Sequence, residues 1–270
     1  MKLRHIADLR ALAWLAVLMA LLCLNWTGVY RSAWSYLVTF PLAFLATIIC
    51  HNHIHLGLFR RRPANQALSV LLSFATGNPP SSIITAHNVR HHRHCDSELD
   101  FVRTTLAPFR KHNWLNVLVF PFLSCAAMWR EKESDLRAWR KHKPILYCQA
   151  LRERIIFLGF VATVLVLDWQ ATLTYLVAPW VFGQLCIVGI NLVQHQGCDQ
   201  DSEFNHSRNI TGRFSNWLFF NSGFHTAHHI RPSMHWSKLP AFHRREIAPH
   251  IDPQLNHRTL LGAIINRLAA

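Results

Sequence analysis

The chain has 270 residues, of which 51% are hydrophobic, and its formal net charge at pH 7 is +14 with histidine counted as neutral. The apolar residues are concentrated in long runs, which excludes an ordinary soluble domain and indicates a membrane protein. A strongly basic chain also suggests a nucleic-acid-binding protein, but contact with anionic lipid headgroups explains the charge more simply, so we expect no nucleic-acid partner.

Four membrane-spanning helices are predicted from the apolar runs. Residues 11–30 and 32–50 contain no charged residue, and residues 155–192 contain only Asp168, near their middle. Because a spanning helix needs about 20 apolar residues, the last run is long enough for two helices that turn at Asp168. The predicted spans are 11–30, 33–50, 154–169 and 172–193.

The basic residues predict the orientation of these helices. Of the 28 lysines and arginines, only Arg31 falls in a predicted outer turn. The positive-inside rule therefore places both termini, and the long segments 51–153 and 194–270, on the cytosolic side. We expect an all-α, multi-pass membrane protein, with residues 1–270 forming one domain and a cytosolic helical cap over the spans.

Histidines cluster in the segments that are expected on the cytosolic side. Buried imidazoles need partners for both ring nitrogens, so a structural core does not collect histidines in this way. Many of them are four residues apart, which places them on one face of a helix. The cap is therefore expected to bring these side chains together: His51, His55, His87, His91, His92, Asn191, His195, His225, His228 and His229.

Such a set of imidazoles is suited to transition metals rather than to magnesium or calcium. A single tetrahedral zinc ion takes at most four ligands, so about ten candidates indicate two metal ions. We expect Asp96, Asp100 and Asp199 to accept hydrogen bonds from imidazole N–H groups instead of binding the metal. No catalytic residue is predicted beyond the metal ligands.

Three histidine motifs carry a resemblance to a known family. His-x3-His (His51, His55), His-x3-His-His (His87, His91, His92) and His-x2-His-His (His225, His228, His229) resemble the boxes of membrane fatty acid desaturases. Asn191 and His195 resemble the additional ligands of acyl-CoA desaturases. Many family members have two residues, not three, before the histidine pair of the second box, so His94 is an alternative to His87.

The resemblance implies a di-iron centre that activates O2 and removes hydrogen from a C–H bond of a lipid chain. It therefore implies fatty acid desaturation, with a membrane lipid or an acyl thioester as substrate. The same ligand set also serves lipid hydroxylases and carotenoid ketolases, which are the close alternative. A non-enzymatic, histidine-rich membrane protein that binds metal is the third interpretation.

The reaction that the resemblance implies also needs electrons from outside. The sequence has no G-x-G-x-x-G motif for a flavin or nicotinamide, and its seven cysteines include no C-x-x-C pair, which excludes a built-in rubredoxin. An external ferredoxin, rubredoxin or cytochrome is therefore the expected electron donor, and a basic cytosolic surface suits an acidic partner.

Overall fold

Helices make up 71% of the protein in a computed structural model that describes residues 2–109 and 114–269. In chain order they are α1 (Asp8–Thr27), α2 (Ala33–His55), α3 (Arg62–Thr76), α4 (Ser81–Ile84), α5 (His92–His94), α6 (Leu115–His142), α7 (Pro144–Leu167), α8 (Trp169–Thr172), α9 (Ala178–His195), α10 (Arg213–Leu218), α11 (His225–Ile230), α12 (Leu239–Phe242) and α13 (Leu260–Ala269). Three π-helical segments are Thr85–His91, Leu173–Val177 and His243–Ile247. Short 3₁₀ turns are Thr104–Leu106, Trp236–Lys238 and Pro253–Leu255. The strands are β1 (Asn209–Ile210) and β2 (Asn256–His257).

The chain divides into two compact units, each built from two segments. The first unit combines Met1–Thr85 with Glu131–Ile187, and the second combines Ala86–Arg130 with Val188–Ala270. The prediction of one domain over residues 1–270 stays a prediction.

In the first unit, α1 packs against α2, and α3 packs against both α2 and α7. Gly28 ends α1 in the left-handed conformation, at φ 76°. Ser32 and Ser35 form a capping box at the start of α2, and Ser35 Oγ also donates to Asn25 Oδ1 at 2.8 Å. The turn between the two helices is therefore fixed by polar contacts at both helix ends.

Three helices in the described ranges are long and apolar enough to cross a membrane: Asp8–Thr27, Ala33–His55 and Trp169–His195. They overlap the predicted spans 11–30, 33–50 and 172–193, which supports an integral membrane protein.

The remaining predicted span, 154–169, is not among these three helices. Most of it lies in α7, where Arg152, Glu153 and Arg154 interrupt the apolar sequence. The uncharged part, residues 155–167, is shorter than the roughly 20 residues that a span needs. The four-span count and the cytosolic cap therefore stay predictions.

In the second unit, β1 and β2 pair in parallel. Ile210 N donates to Gly223 O at 2.7 Å, so β1 also contacts the segment that leads into α11. A Cβ at Gly223 would lie 2.3 Å from Ile210 O, and only glycine allows this close approach. The strand pair thus fixes the start of the helix that carries the third histidine box.

Two helical glycines provide a matched test of packing in the first unit. A Cβ at Gly183, in α9, would lie 2.9 Å from the backbone oxygen of Ala43, whereas a Cβ at Gly159, in α7, meets nothing within 4 Å. We expect Gly183→Ala to destabilise the protein by about 1–3 kcal/mol, because the added Cβ forces the backbone at Ala43 to shift. This loss of stability lowers the melting temperature by roughly 2–10 °C.

Gly159→Ala serves as the control, since alanine in a helix is favoured over glycine by about 0.5–1 kcal/mol. Thermal unfolding of the purified chain in detergent measures both effects. Equal melting temperatures for the two variants would contradict the close contact between Gly183 and Ala43.

Candidate metal centre

The second histidine box spans a π-helix and the first residue of α5. The segment Thr85–His91 is π-helical and continues directly into α5. A π-helix forms i→i+5 hydrogen bonds, which brings His92 over His87, five residues earlier. Their Nε2 atoms are 3.1 Å apart. His94 is exposed in the same segment.

The third box lies on α11, where two adjacent histidines face different neighbours. Successive residues of an α-helix are about 100° apart around its axis. The rings of both His228 and His229 lie near that of His92, but only His229 is close to His225. The ring of His225 is 6.1 Å from that of His228 and 4.5 Å from that of His229, and the ring of His229 is also 4.8 Å from that of His195.

The histidines of the second unit consequently form two groups. In each group the possible ligand atoms lie within 4.8 Å of one another. We define the first group as His87, His92 and His228, and the second group as His91, His195, His225 and His229. Both histidine pairs, 91–92 and 228–229, contribute one member to each group.

The two groups adjoin, since the rings of His92 and His229 are 4.4 Å apart. The second unit therefore has two neighbouring groups of histidines that could each hold a metal ion.

His195, at the end of α9, directs one ring nitrogen into the second group. Its Nδ1 lies 3.0 Å from the carbonyl oxygen of His206, which only accepts, so Nδ1 carries the proton. The Nε2 atom is left with its lone pair and lies 2.8 Å from Nε2 of His225. Two nitrogens bound side by side at about 2.1 Å from one metal ion are about 3 Å apart, so this spacing is compatible with a shared metal ion.

A buried carboxylate orients His91. His91 Nδ1 donates to Asp100 Oδ2 at 2.8 Å, and both side chains are 1% exposed. Backbone N–H groups of Asp96 and Val102 also donate to this carboxylate. Burial raises the pKa of Asp100, but these hydrogen bonds and the interaction with His91 outweigh it and hold the pKa below its ordinary value. Asp100 is therefore ionised at neutral pH and fixes the proton of His91 on Nδ1.

Two buried ring nitrogens indicate whether the second group suits a metal ion. Among the described residues, Nε2 of His91 and Nε2 of His229 are buried without a hydrogen-bond partner. Leaving a buried polar atom without a partner costs about 1–3 kcal/mol, and a bound metal removes that cost. Burial, and then the neighbouring imidazoles, lower the pKa of His229 well below its ordinary value. Neutral imidazoles with available lone pairs are the ligands that iron, zinc, copper and nickel accept.

The remaining sequence-predicted ligands are His51, His55 and Asn191. His51 and His55, in the first unit, lie on one face at the end of α2, with their rings 4.9 Å apart. His53 lies between them in sequence, and its Nε2 is 3.1 Å from Ser69 Oγ on α3. Asn191 is one turn before His195 and donates through Nδ2 to the carbonyl oxygen of Val102 at 2.8 Å.

Of the three predicted carboxylate acceptors, Asp100 contacts an imidazole as expected. Asp96 instead accepts from the hydroxyl and the backbone N–H of Thr104. Asp199 accepts from the backbone N–H of Asp201. Asp96 and Asp199 therefore stabilise the loops in which they lie through local hydrogen bonds.

Two polar side chains that hold the ligand helices were missed in the sequence. Arg208 donates to the carbonyl oxygen of Gln196 at 2.6 Å and to that of Val193 at 3.3 Å, which caps the end of α9 beside His195. Asn209 Oδ1 accepts from the backbone N–H of Thr226 at 3.0 Å, in the first turn of α11. Neither residue belongs to a histidine motif, so no spacing pattern indicated its role.

Comparison with known families agrees with this site. The family model described as fatty acid desaturase matches residues 32–259, a range that includes all ten predicted ligands. No protein of curated function matches the chain.

Asp100→Asn tests the role of the carboxylate. Asparagine keeps the size of the side chain but replaces one accepting oxygen with a donor, so His91 loses its fixed orientation. We expect metal affinity to fall about 10–100-fold, measured by chelator competition and elemental analysis of the purified chain.

Glu98→Gln is the matched control, because the Glu98 carboxylate is exposed and pairs with Arg103 at 3.3 Å on the surface. We expect its metal affinity to equal that of the wild type. Wild-type affinity in Asp100→Asn would refute the assignment of Asp100 as the residue that orients His91.

Proposed function

The chain belongs to the fatty acid desaturase family, and we propose that it is an O2-dependent membrane oxidoreductase that introduces a double bond into the acyl chain of a lipid. The observation that carries the proposal is the pair of adjoining histidine groups in the second unit, each able to offer nitrogen ligands to one metal ion. Two neighbouring nitrogen-rich positions suit the di-iron chemistry of this family.

We assign the first iron to His87, His92 and His228, and the second iron to His91, His195, His225 and His229. His51 and His55 complete the proposed set because they form the first box of the family pattern. Asn191 is assigned to the centre because it precedes His195 by one helical turn, as in the family pattern. His94 is not assigned, since it is exposed while His87 contacts His92.

A bound di-iron centre supplies O2 activation and removal of hydrogen from an unactivated C–H bond. The protein residues keep the ligands oriented and away from water. His91 and His195 each hold a proton on Nδ1, through Asp100 and the His206 carbonyl respectively, so that Nε2 remains the metal-binding atom. Burial of both side chains limits the access of water.

The electrons of the proposed reaction balance only with an external donor. Formation of one double bond removes two electrons and two protons from the acyl chain. Reduction of O2 to two waters consumes four electrons and four protons. The other two electrons come from a ferredoxin, rubredoxin or cytochrome, and two protons come from solvent.

The membrane location of the protein favours an acyl chain as its substrate. An acyl chain, as a membrane lipid or a thioester, reaches the enzyme from the bilayer without leaving an apolar environment. We propose that α7 completes four spans, which puts both termini and the metal centre in the cytosol. There the basic surface meets its electron donor.

Expression in a bacterial host, together with a ferredoxin and its reductase, tests the reaction. We expect lipids that have lost two hydrogens in cells with the wild type, and none in cells with His228→Ala, which removes a ligand of the first group. Lipid mass spectrometry measures both the mass and the position of the double bond.

His94→Ala is the matched control from the same set of histidines and is expected to retain activity within about twofold, since His94 is exposed. Lipids heavier by one oxygen atom would show that the enzyme hydroxylates its substrate and does not desaturate it. Unchanged lipids in cells whose purified chain carries two iron ions would contradict both reactions.

A further inference from the structure

Four large apolar side chains are exposed on two short helices of the second unit. Phe214 and Trp217 on α10 are 75% and 51% exposed, and Leu261 and Ile265 on α13 are 65% and 56% exposed. We call these four residues the apolar patch. Single exposed apolar residues are ordinary on protein surfaces, whereas a contiguous set indicates contact with another apolar surface.

The two aromatic residues of α10 share one face, because they are three positions apart. Their rings are stacked, with centroids 6.4 Å apart. Asn216 is buried and donates to the carbonyl oxygen of Ile210 at 2.6 Å, so the polar side of this helix is turned inward. The aromatic face of the helix is therefore directed outward, and the hydrogen bond of Asn216 holds the helix in this orientation.

The aliphatic residues of α13 are arranged in the same way. Leu261 and Ile265 are four positions apart and exposed, whereas Ala263 between them is 1% exposed. Leu261 and Ile265 thus form an exposed apolar stripe on this helix, the reverse of the pattern expected for a helix in contact with water.

The strand pair holds the beginnings of the two helices together. β1 precedes α10, β2 precedes α13, and the strands are paired in parallel. A Cβ at Gly212, the residue before α10, would lie 2.0 Å from the carbonyl oxygen of Arg258. This contact places the start of α10 against the segment that leads into α13.

We propose that the apolar patch inserts into the surface of an anionic phospholipid bilayer. Arg213 and Arg258 are exposed at the starts of the two helices, where they suit the phosphates of anionic lipids, and aromatic residues are favoured at the membrane interface. The end of a candidate span is close in sequence, because only 17 residues lie between His195 and Arg213. The patch is distinct from the metal centre, and the proposal does not depend on the reaction catalysed.

Photolabelling of the full chain tests this insertion. The protein is reconstituted at one chain per nanodisc in phosphatidylcholine and phosphatidylglycerol, with a phosphatidylcholine that carries a diazirine in the upper part of its acyl chain. After irradiation, labelled peptides are identified by mass spectrometry. We expect labelling of residues 213–218 and 260–266 at least fivefold above that of the exposed polar turn at Asp252–Gln254, with α1 as the positive control.

A double variant, Phe214→Ser with Trp217→Ser, is expected to lower labelling of residues 260–266 at least threefold, because both helices contact lipid as one patch. Leu99→Ser, which removes an exposed apolar side chain elsewhere in the same unit, is expected to leave it unchanged. Labelling of both helices no higher than that of Asp252–Gln254, in discs where α1 is labelled, would overturn the proposal. Since each disc holds one chain, a second copy of the protein cannot produce or hide the result.

Discussion

The hydrogen bond between His91 and Asp100 is the interaction on which the geometry of the second histidine group depends. The carboxylate is buried and also accepts two backbone N–H groups, so its position is fixed independently of the imidazole. A neutral imidazole that donates through Nδ1 has its only lone pair on Nε2. The buried loop around Asp100 therefore decides which nitrogen of His91 faces the other three histidines. The same loop accepts a hydrogen bond from Asn191 at Val102, which ties it to the helix that ends in His195.

Helix geometry explains how a small number of short segments can supply histidines to both groups. Adjacent residues on a helix point in different directions, so each histidine pair serves both groups. The π-helix at Thr85–His91 adds the contact between His87 and His92, which ordinary α-helical spacing separates. π-helical turns carry an energetic cost and are frequent at functional sites. The local departure from α-helix is therefore part of the proposed metal-binding arrangement.

Sequence patterns predicted the clustering of histidines and three long apolar helices, because both depend on local composition and spacing. They did not predict the π-helix, since one extra residue per turn leaves no signature in the sequence. Asp100 was expected to orient an imidazole, but Arg208 and Asn209 were missed because their partners are backbone groups distant in sequence. The span at 154–169 was predicted from the apolar residues in the second half of α7. Arg152, Glu153 and Arg154 precede these residues and leave the apolar part of the helix shorter than a span needs.

We propose that the histidines hold two metal ions side by side. The most direct measurement is the metal content of the purified wild-type chain, by elemental analysis, together with Mössbauer spectroscopy of protein produced with ⁵⁷Fe. We expect about two iron ions per chain, magnetically coupled in the oxidised protein. One iron ion per chain, or two without coupling, in fully folded protein would contradict it.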